Sequence, residues 1–413
     1  MAFSQFFERL IYFSLILIPF APSFSSRLTN ILIAVAVVPF WIKKALSRDA
    51  TFLKKVPIVL PFSLIVLASF ISFVKTVSLP SSLGGIGKLI KYLGLFLVFA
   101  EELKDKKHVQ RIVTALLLGL LLASVDGIFQ LYFGVDFIRQ RPYDIDPVGL
   151  GLPRLRAAFP STNHFSTYLA LFLPLSICLT FYDYRGFKKF FVYATSILAL
   201  SCLLFTFARG SFIGFLIALA FIGVMKQDKM ILIALAIVLV VAPFALPQQI
   251  KNWEKTTHSP IEVIWDAKKI GDWRNALNMI RHNLWTGVGV NTYGLNFEKY
   301  QVKDASRFRG EAGYAHNIYL QMMAEIGPLG LIAFLWLLVR LFRLGLESYR
   351  RLDDNFLKTA TLGILAGLTA FLYNGITETV LYHSKIVCQF WFYVGLLLGI
   401  CRLSRQNQWV DKK

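Results

Sequence analysis

Tyr314-Ala315-His316-Asn317-Ile318-Tyr319-Leu320-Gln321-Met322-Met323-Ala324-Glu325-Ile326-Gly327-Pro328-Leu329-Gly330 closes a long polar segment and opens an apolar run that extends to about residue 340. The stretch reads as one helix that begins at the water boundary and continues without a break into hydrocarbon. At helical spacing Asn317, Gln321 and Glu325 form a single polar stripe on an otherwise apolar helix. His316 and Asn317 then stand where a membrane helix meets water, a place suited to a substrate that is half lipid and half polar. Glu325 is expected roughly two turns inside, where an ionisable side chain is costly and faces a partner or a wet cavity. The plain alternative is an interfacial histidine followed by a structural carboxylate.

The same apolar patterning recurs on both sides of this stretch. The chain has 413 residues, 56% hydrophobic and only 16% charged, which indicates an all-α polytopic membrane protein. Apolar runs fall at about 8–24, 28–42, 56–74, 86–100, 109–133, 163–182, 188–207, 210–226, 230–247, 316–340, 356–376 and 385–402. They predict about 12 transmembrane helices in a single integral domain over 1–413, with a large loop between helices 9 and 10. The first run lacks a small-residue cleavage site and is read as a helix rather than a removed signal peptide.

The net charge of +20 is carried largely by short connections, among them Lys43, Lys44 and Arg48, Lys104, Lys106 and Lys107, and Arg343, Arg350 and Arg351. That distribution places both termini in the cytoplasm and the segments 134–162 and 248–315 outside. Lys75, Lys88 and Lys91, flanking the fourth run, are the exception on the external side. With no soluble domain to carry it, nucleic-acid binding is set aside. Cys178, Cys202, Cys388 and Cys401 lie in or at the ends of apolar runs without metal-ligand spacing and read as small core residues.

The two external segments are too long to be mere connections. The longer one contains an amphipathic pattern over Ile261, Ile264, Trp265, Lys268, Asp272, Trp273, Leu277, Ile280 and Leu284, which stops at the turn Gly287-Val288-Gly289. Arg209 stands in the tight external turn Thr206-Phe207-Ala208-Arg209-Gly210-Ser211, where a lone arginine needs a reason. Snorkelling is one reason; gripping an anion through two phosphate oxygens is the other, and is preferred. Arg154 and Arg156, followed by Phe159 to His164, join Lys268, Lys269, Arg274 and Arg281 to form a basic mouth able to focus an anionic headgroup. Lys303, Arg307 and Arg309 read as solvated surface. Asp144-Ile145-Asp146 has a metal-binding spacing but sits beside Pro142 and Pro147 and reads as a turn. Asp126 reads as a buried structural carboxylate. No nucleotide, zinc or nucleophile-elbow motif is present, so no cofactor is expected, and a donor activated in advance, such as a lipid pyrophosphate, fits the mouth.

The pattern His-x-x-x-Leu-x-x-x-x-Glu-x-Gly-x-x-Gly at His316–Gly330 resembles the signature of the O-antigen ligase family, within the O-antigen ligase and polymerase superfamily. Ala208-Arg209-Gly210, Arg154…Phe159…Asn163, and Trp273…Ala276-Leu277…Gly287-Val288-Gly289 resemble further segments of it, in the same order. The resemblance implies a metal-independent, inverting glycosyltransferase of the bacterial inner membrane, with its active site facing the periplasm. Its donor would be a glycan on undecaprenyl pyrophosphate and its acceptor a hydroxyl of the lipid A-core oligosaccharide, with membrane lipids as surroundings. Carried over, His316 is the base or acceptor-orienting group, and Arg209 and a basic loop residue hold the pyrophosphate. Many members have an arginine about one turn before the tryptophan, where this chain has Lys269; Arg274 is the other candidate. Arg154 and Arg156 would add to the donor site, with Asn163, Asn317 and Glu325 supporting. A polymerase of similar chemistry is the alternative. A secondary transporter is a third reading, against which the absence of internal repeats counts.

Overall fold

The computed structural model describes residues 2–48, 51–145, 152–245, 267–302 and 313–410. The described chain is nearly all helical: α1 (Ala2–Leu17), α2 (Ser26–Ser47), α3 (Val59–Ile71), α4 (Leu79–Glu102), α5 (Lys106–Phe133), α6 (Thr162–Thr180), α7 (Gly186–Phe205), α8 (Arg209–Lys226), α9 (Lys229–Ala245), α10 (Ala267–His282), α11 (Tyr293–Tyr300), α12 (Ile318–Arg351), α13 (Asn355–Asn374) and α14 (Ser384–Val410). Twelve of these fall on the twelve apolar runs, and α10 and α11 lie in the 248–315 segment. Eight, namely α2, α4, α5, α7, α8, α12, α13 and α14, are long and apolar enough to cross a bilayer. With the further apolar helices α1, α3, α6 and α9, the chain is a polytopic membrane protein. Helices dominate because hydrocarbon offers backbone groups no other partner. Their ends are closed by side chains, as where Ser161 accepts from His164 N and Asp354 from Leu357 N.

The core is built around α14, whose residues from Lys385 to Cys401 are buried. Trp391 packs edge-on to Phe62 and stacks on Tyr92 and Phe96, with centroids 5.3, 6.2 and 5.6 Å away. Helix α6 lies against α13, which also packs on α8. At one end of the bundle Lys43 bridges Glu8 and Glu102, Lys44 pairs with Glu101, Lys104 with Glu8, and Lys106 with Asp354. The basic groups of 43–44 and 104–106 therefore share one end. All four cysteines are buried and free, as read from the sequence.

Three expectations are corrected. Helix α12 is not continuous: Gly327 has φ 67° and ψ −172°, and Pro328 follows it. Pro328 has no N–H for the carbonyl of Ala324, and the break at Gly327 frees that of Glu325. Both are taken up by the incoming turn, Val288 N at 2.9 Å and Gly289 N at 3.1 Å. A Cβ on Gly287 would collide with the Glu325 carbonyl, so that turn needs glycine. Second, α4 begins at Leu79, seven residues before the apolar run. Glycines and serines delay the hydropathy signal there without ending the helix, so Lys88 and Lys91 lie inside α4 rather than beside it. Third, on α10 the buried face holds Asp272, Asn275, Ala276 and Met279, while Leu277 is exposed. Ile261, Ile264 and Trp265 lie outside the described residues.

Candidate functional site

His316 has a left-handed backbone, φ 46°, uncommon for a residue with a Cβ and a mark of a position held by its surroundings. Three bonds hold it. Its carbonyl accepts from Trp273 Nε1 at 3.4 Å, the next residue caps α12, and Ile318 N donates to Gly375 O at 2.8 Å. Asn317 makes that cap by accepting from the N–H groups of Tyr319 and Leu320. The contact with Gly375 brings His316 against the turn between α13 and α14.

That turn carries Glu378, on which three other parts of the chain converge. Its Oε2 lies 3.2 Å from His316 Nδ1, and its Oε1 accepts from Lys269 Nζ at 2.7 Å and Asn163 Nδ2 at 2.6 Å. Asp272 approaches the other ring nitrogen, Nε2, at 3.9 Å, too far for a hydrogen bond. Burial alone would push the Glu378 carboxyl up, but the Lys269 ammonium and His316 outweigh it and hold it well below the usual carboxylate range. Burial likewise works against the His316 imidazolium, yet the bond and charge of Glu378 hold its pKa above the ordinary histidine value. The ionised carboxylate fixes a proton on Nδ1, which leaves Nε2 as the free basic nitrogen of the neutral ring.

Arg209 opens α8 one residue before Gly210, which packs so closely on Thr377 that a Cβ there would collide with its hydroxyl. The Arg209 turn is thereby seated beside Glu378, and Arg209 itself is exposed. Arg154 donates from Nε to the Thr206 carbonyl at 3.0 Å, tying the 152–162 segment to the same turn. Asn163, Arg209, Lys269, Asp272, Trp273, His316 and Glu378 thus gather at one place from five separate segments. A half-buried lysine–carboxylate pair beside a partly exposed imidazole forms an arrangement able to accept a proton beside an anion.

Other residues singled out in the sequence stand elsewhere. Arg156 pairs with Asp144 at 3.0 Å, and Asp144 also accepts from Thr162 Oγ1 at 2.8 Å. Arg274 is on the exposed side of α10. Glu325 is buried, and its oxygens accept from Asn291 N, Tyr293 N and Tyr382 Oη at 2.9, 3.1 and 2.9 Å. It pins the turn after Gly289 to α12. Asp126 accepts from Phe137 N at 2.7 Å, the structural role expected. The side chain of Lys268 and residues Asp146, Lys303, Arg307 and Arg309 lie outside what is described. Glu378 carries the geometry but was not singled out, and Asp272 was named only as a position in the amphipathic pattern. A carboxylate alone in the short segment between the last two apolar runs was the available signal.

The model of the family described as O-antigen ligase matches residues 194–335. That span holds Arg209, Lys269, Asp272, Trp273, His316 and the break at Gly327; Asn163 and Glu378 fall outside it. The chain is also 24% identical over 262 residues to the teichuronic acid biosynthesis protein TuaE of Bacillus subtilis strain 168. That match covers 60% of this chain and 53% of the relative, so the chain spans about half the length of the curated protein it matches. The resemblance read from His316–Gly330 and Ala208–Gly210 is thus independently supported: this is a multi-pass membrane protein whose residues 194–335 match the O-antigen ligase family.

Proposed function

We propose that the protein is a glycosyltransferase acting on a lipid-pyrophosphate-linked donor, and within that class an O-antigen ligase. The observation that carries the reading is the Glu378–His316 pair beside the Arg209 turn. The acceptor hydroxyl, on a lipid A-core oligosaccharide, attacks the anomeric carbon opposite the pyrophosphate. As the new glycosidic bond forms, the bond to the pyrophosphate oxygen breaks and the configuration inverts. The hydroxyl proton passes to His316 Nε2, and the leaving pyrophosphate takes the electron pair under the charge of Arg209. Arginine neutralises that group through a two-pronged, charge-assisted contact, so the step needs no divalent ion. Lys269 holds Glu378 ionised and lends its charge to the donor side. Arg154, Arg156 and Arg274 supply the wider basic field, and Asn163, Asn317 and Glu325 hold the scaffold. The donor is undecaprenyl-linked, and the site faces the periplasm of a bacterial inner membrane.

A polymerase joining lipid-linked units is the second reading. The relative's name refers to teichuronic acid biosynthesis and names neither reaction. Deleting the gene and analysing the surface glycan separates them. Loss of the ligase leaves bare core. Core bearing a single repeat unit would instead assign a polymerase, and an unchanged glycan would sink both.

A further inference from the structure

Helix α4 starts at Leu79, seven residues ahead of its apolar run, so Lys88 and Lys91 stand about 3 and 8 Å inside that run at 1.5 Å per residue. Ammonium groups at that depth are costly and need a compensating partner. Theirs are neutral: Lys88 Nζ donates to Asn291 Oδ1 at 2.9 Å, and Lys91 Nζ donates to Asn30 Oδ1 at 3.0 Å and lies 4.8 Å from the centre of the Tyr92 ring. Among the described residues neither forms an ion pair. Glu325 is the nearby carboxylate, but its oxygens already accept from Asn291 N, Tyr293 N and Tyr382.

Gly84, Gly87, Lys88 and Lys91 follow the i, i+3, i+4, i+7 spacing of one helix face. Gly84, Gly87 and Lys88 are exposed, and a Cβ on either glycine would meet nothing within 4 Å. Leu83 and Ile90, 53% and 52% exposed beside this stripe, mark the surface as one that faces hydrocarbon. Next to it opens a cleft of about 90 Å³ lined by Phe62, Ile65, Leu89, Phe334 and Trp391, with Lys88, Asn291 and the buried Glu325 also on its wall. Cationic and apolar ground therefore adjoin, and the two glycines let a headgroup approach the backbone.

We propose that this face of α4 binds an anionic glycerophospholipid of the surrounding leaflet. Its phosphate is held at the edge of the hydrocarbon by Lys88 and Lys91, whose long side chains reach toward headgroup level, and its acyl chains lie along the apolar surface of Leu83 and Ile90. Lysine is a point charge for phosphate, and intramembrane basic pockets are suited to such headgroups. This site is separate from the Glu378–His316 pair, and its test needs no transfer activity.

The full-length protein is reconstituted in nanodiscs of equal phosphatidylglycerol and phosphatidylethanolamine, and the lipid retained after extraction is counted by native mass spectrometry. Phosphatidylglycerol is expected to be retained in preference. Each of Lys88→Gln and Lys91→Gln should lower that preference about fivefold, the effect of one lysine near a lipid phosphate. Gly87→Leu, which keeps both charges, should lower it by obstructing the stripe, which guards against a lysine variant that fails to fold. Equal retention of the two lipids, or variants that keep the wild-type preference, would overturn the assignment. So would displacement of phosphatidylglycerol by equimolar polyprenyl phosphate, which would give the site to a prenyl lipid.

Discussion

Glu378 decides what His316 can do. With the carboxylate on Nδ1 the ring is oriented and its pKa is raised, although burial works the other way. In the proposed reaction the active form is neutral imidazole, so the rate rises as pH climbs through that raised pKa. Glu378→Gln removes the charge that favours imidazolium while keeping the shape. The acid limb of the transfer rate should then move to lower pH, and the plateau should fall because the tautomer is no longer fixed. His316→Ala gives the reference, a loss of roughly 10²–10⁴ with no such limb. An unmoved limb in Glu378→Gln would show that His316 is not the titrating base. His316, Arg209 and Asn163 were noticeable as polar residues at the edge of apolar runs, and Lys269 as a basic residue of the long external segment. Glu378 was not, since its partners are 62, 109 and 215 residues away in sequence and acidic residues in short loops carry little orientation signal.

At the scale of elements, α12 shows why apolar periodicity misled. The stripe Asn317, Gln321, Glu325 has the expected spacing, and apolar residues continue beyond it, so the pattern reads straight through Gly327. The Gly327-Pro328 pair was the breaker signal, and its purpose is visible only with the 287–293 turn in place. Glu325 belongs to that junction: its two oxygens serve two backbone N–H groups and a tyrosine hydroxyl. Glu325→Gln leaves one oxygen and an amide that cannot accept, so one buried N–H loses its partner at about 1–3 kcal/mol. The variant should unfold at a lower temperature in detergent while the turnover of its folded fraction stays near wild type. A variant as stable as the parent but inactive would move Glu325 from the scaffold into the chemistry.

The whole molecule has two chemically distinct ends. One is closed by ion pairs of Lys43, Lys44, Lys104 and Lys106 with Glu8, Glu101, Glu102 and Asp354. The other gathers the site from α6, α8, α10, α12 and the turn carrying Glu378. The helix count was legible because each crossing must bury about twenty apolar residues, and α4 was misjudged only where glycine and serine replace them. The expected orientation rests on the excess of Lys and Arg in the short connections, whose retention on the cytoplasmic side would put the site on the opposite face. Ser47 and Leu295 are both exposed and lie in the 43–55 and 248–315 segments respectively. In a cysteine-free background, Ser47→Cys should react with a membrane-impermeant thiol reagent only after the inner membrane is opened. Leu295→Cys should react in intact spheroplasts. Reaction of both from the same side would contradict the alternation of helices between them. Exchange of the two sides would turn the His316 site to the cytoplasm, where a donor presented at the periplasmic face could not reach it.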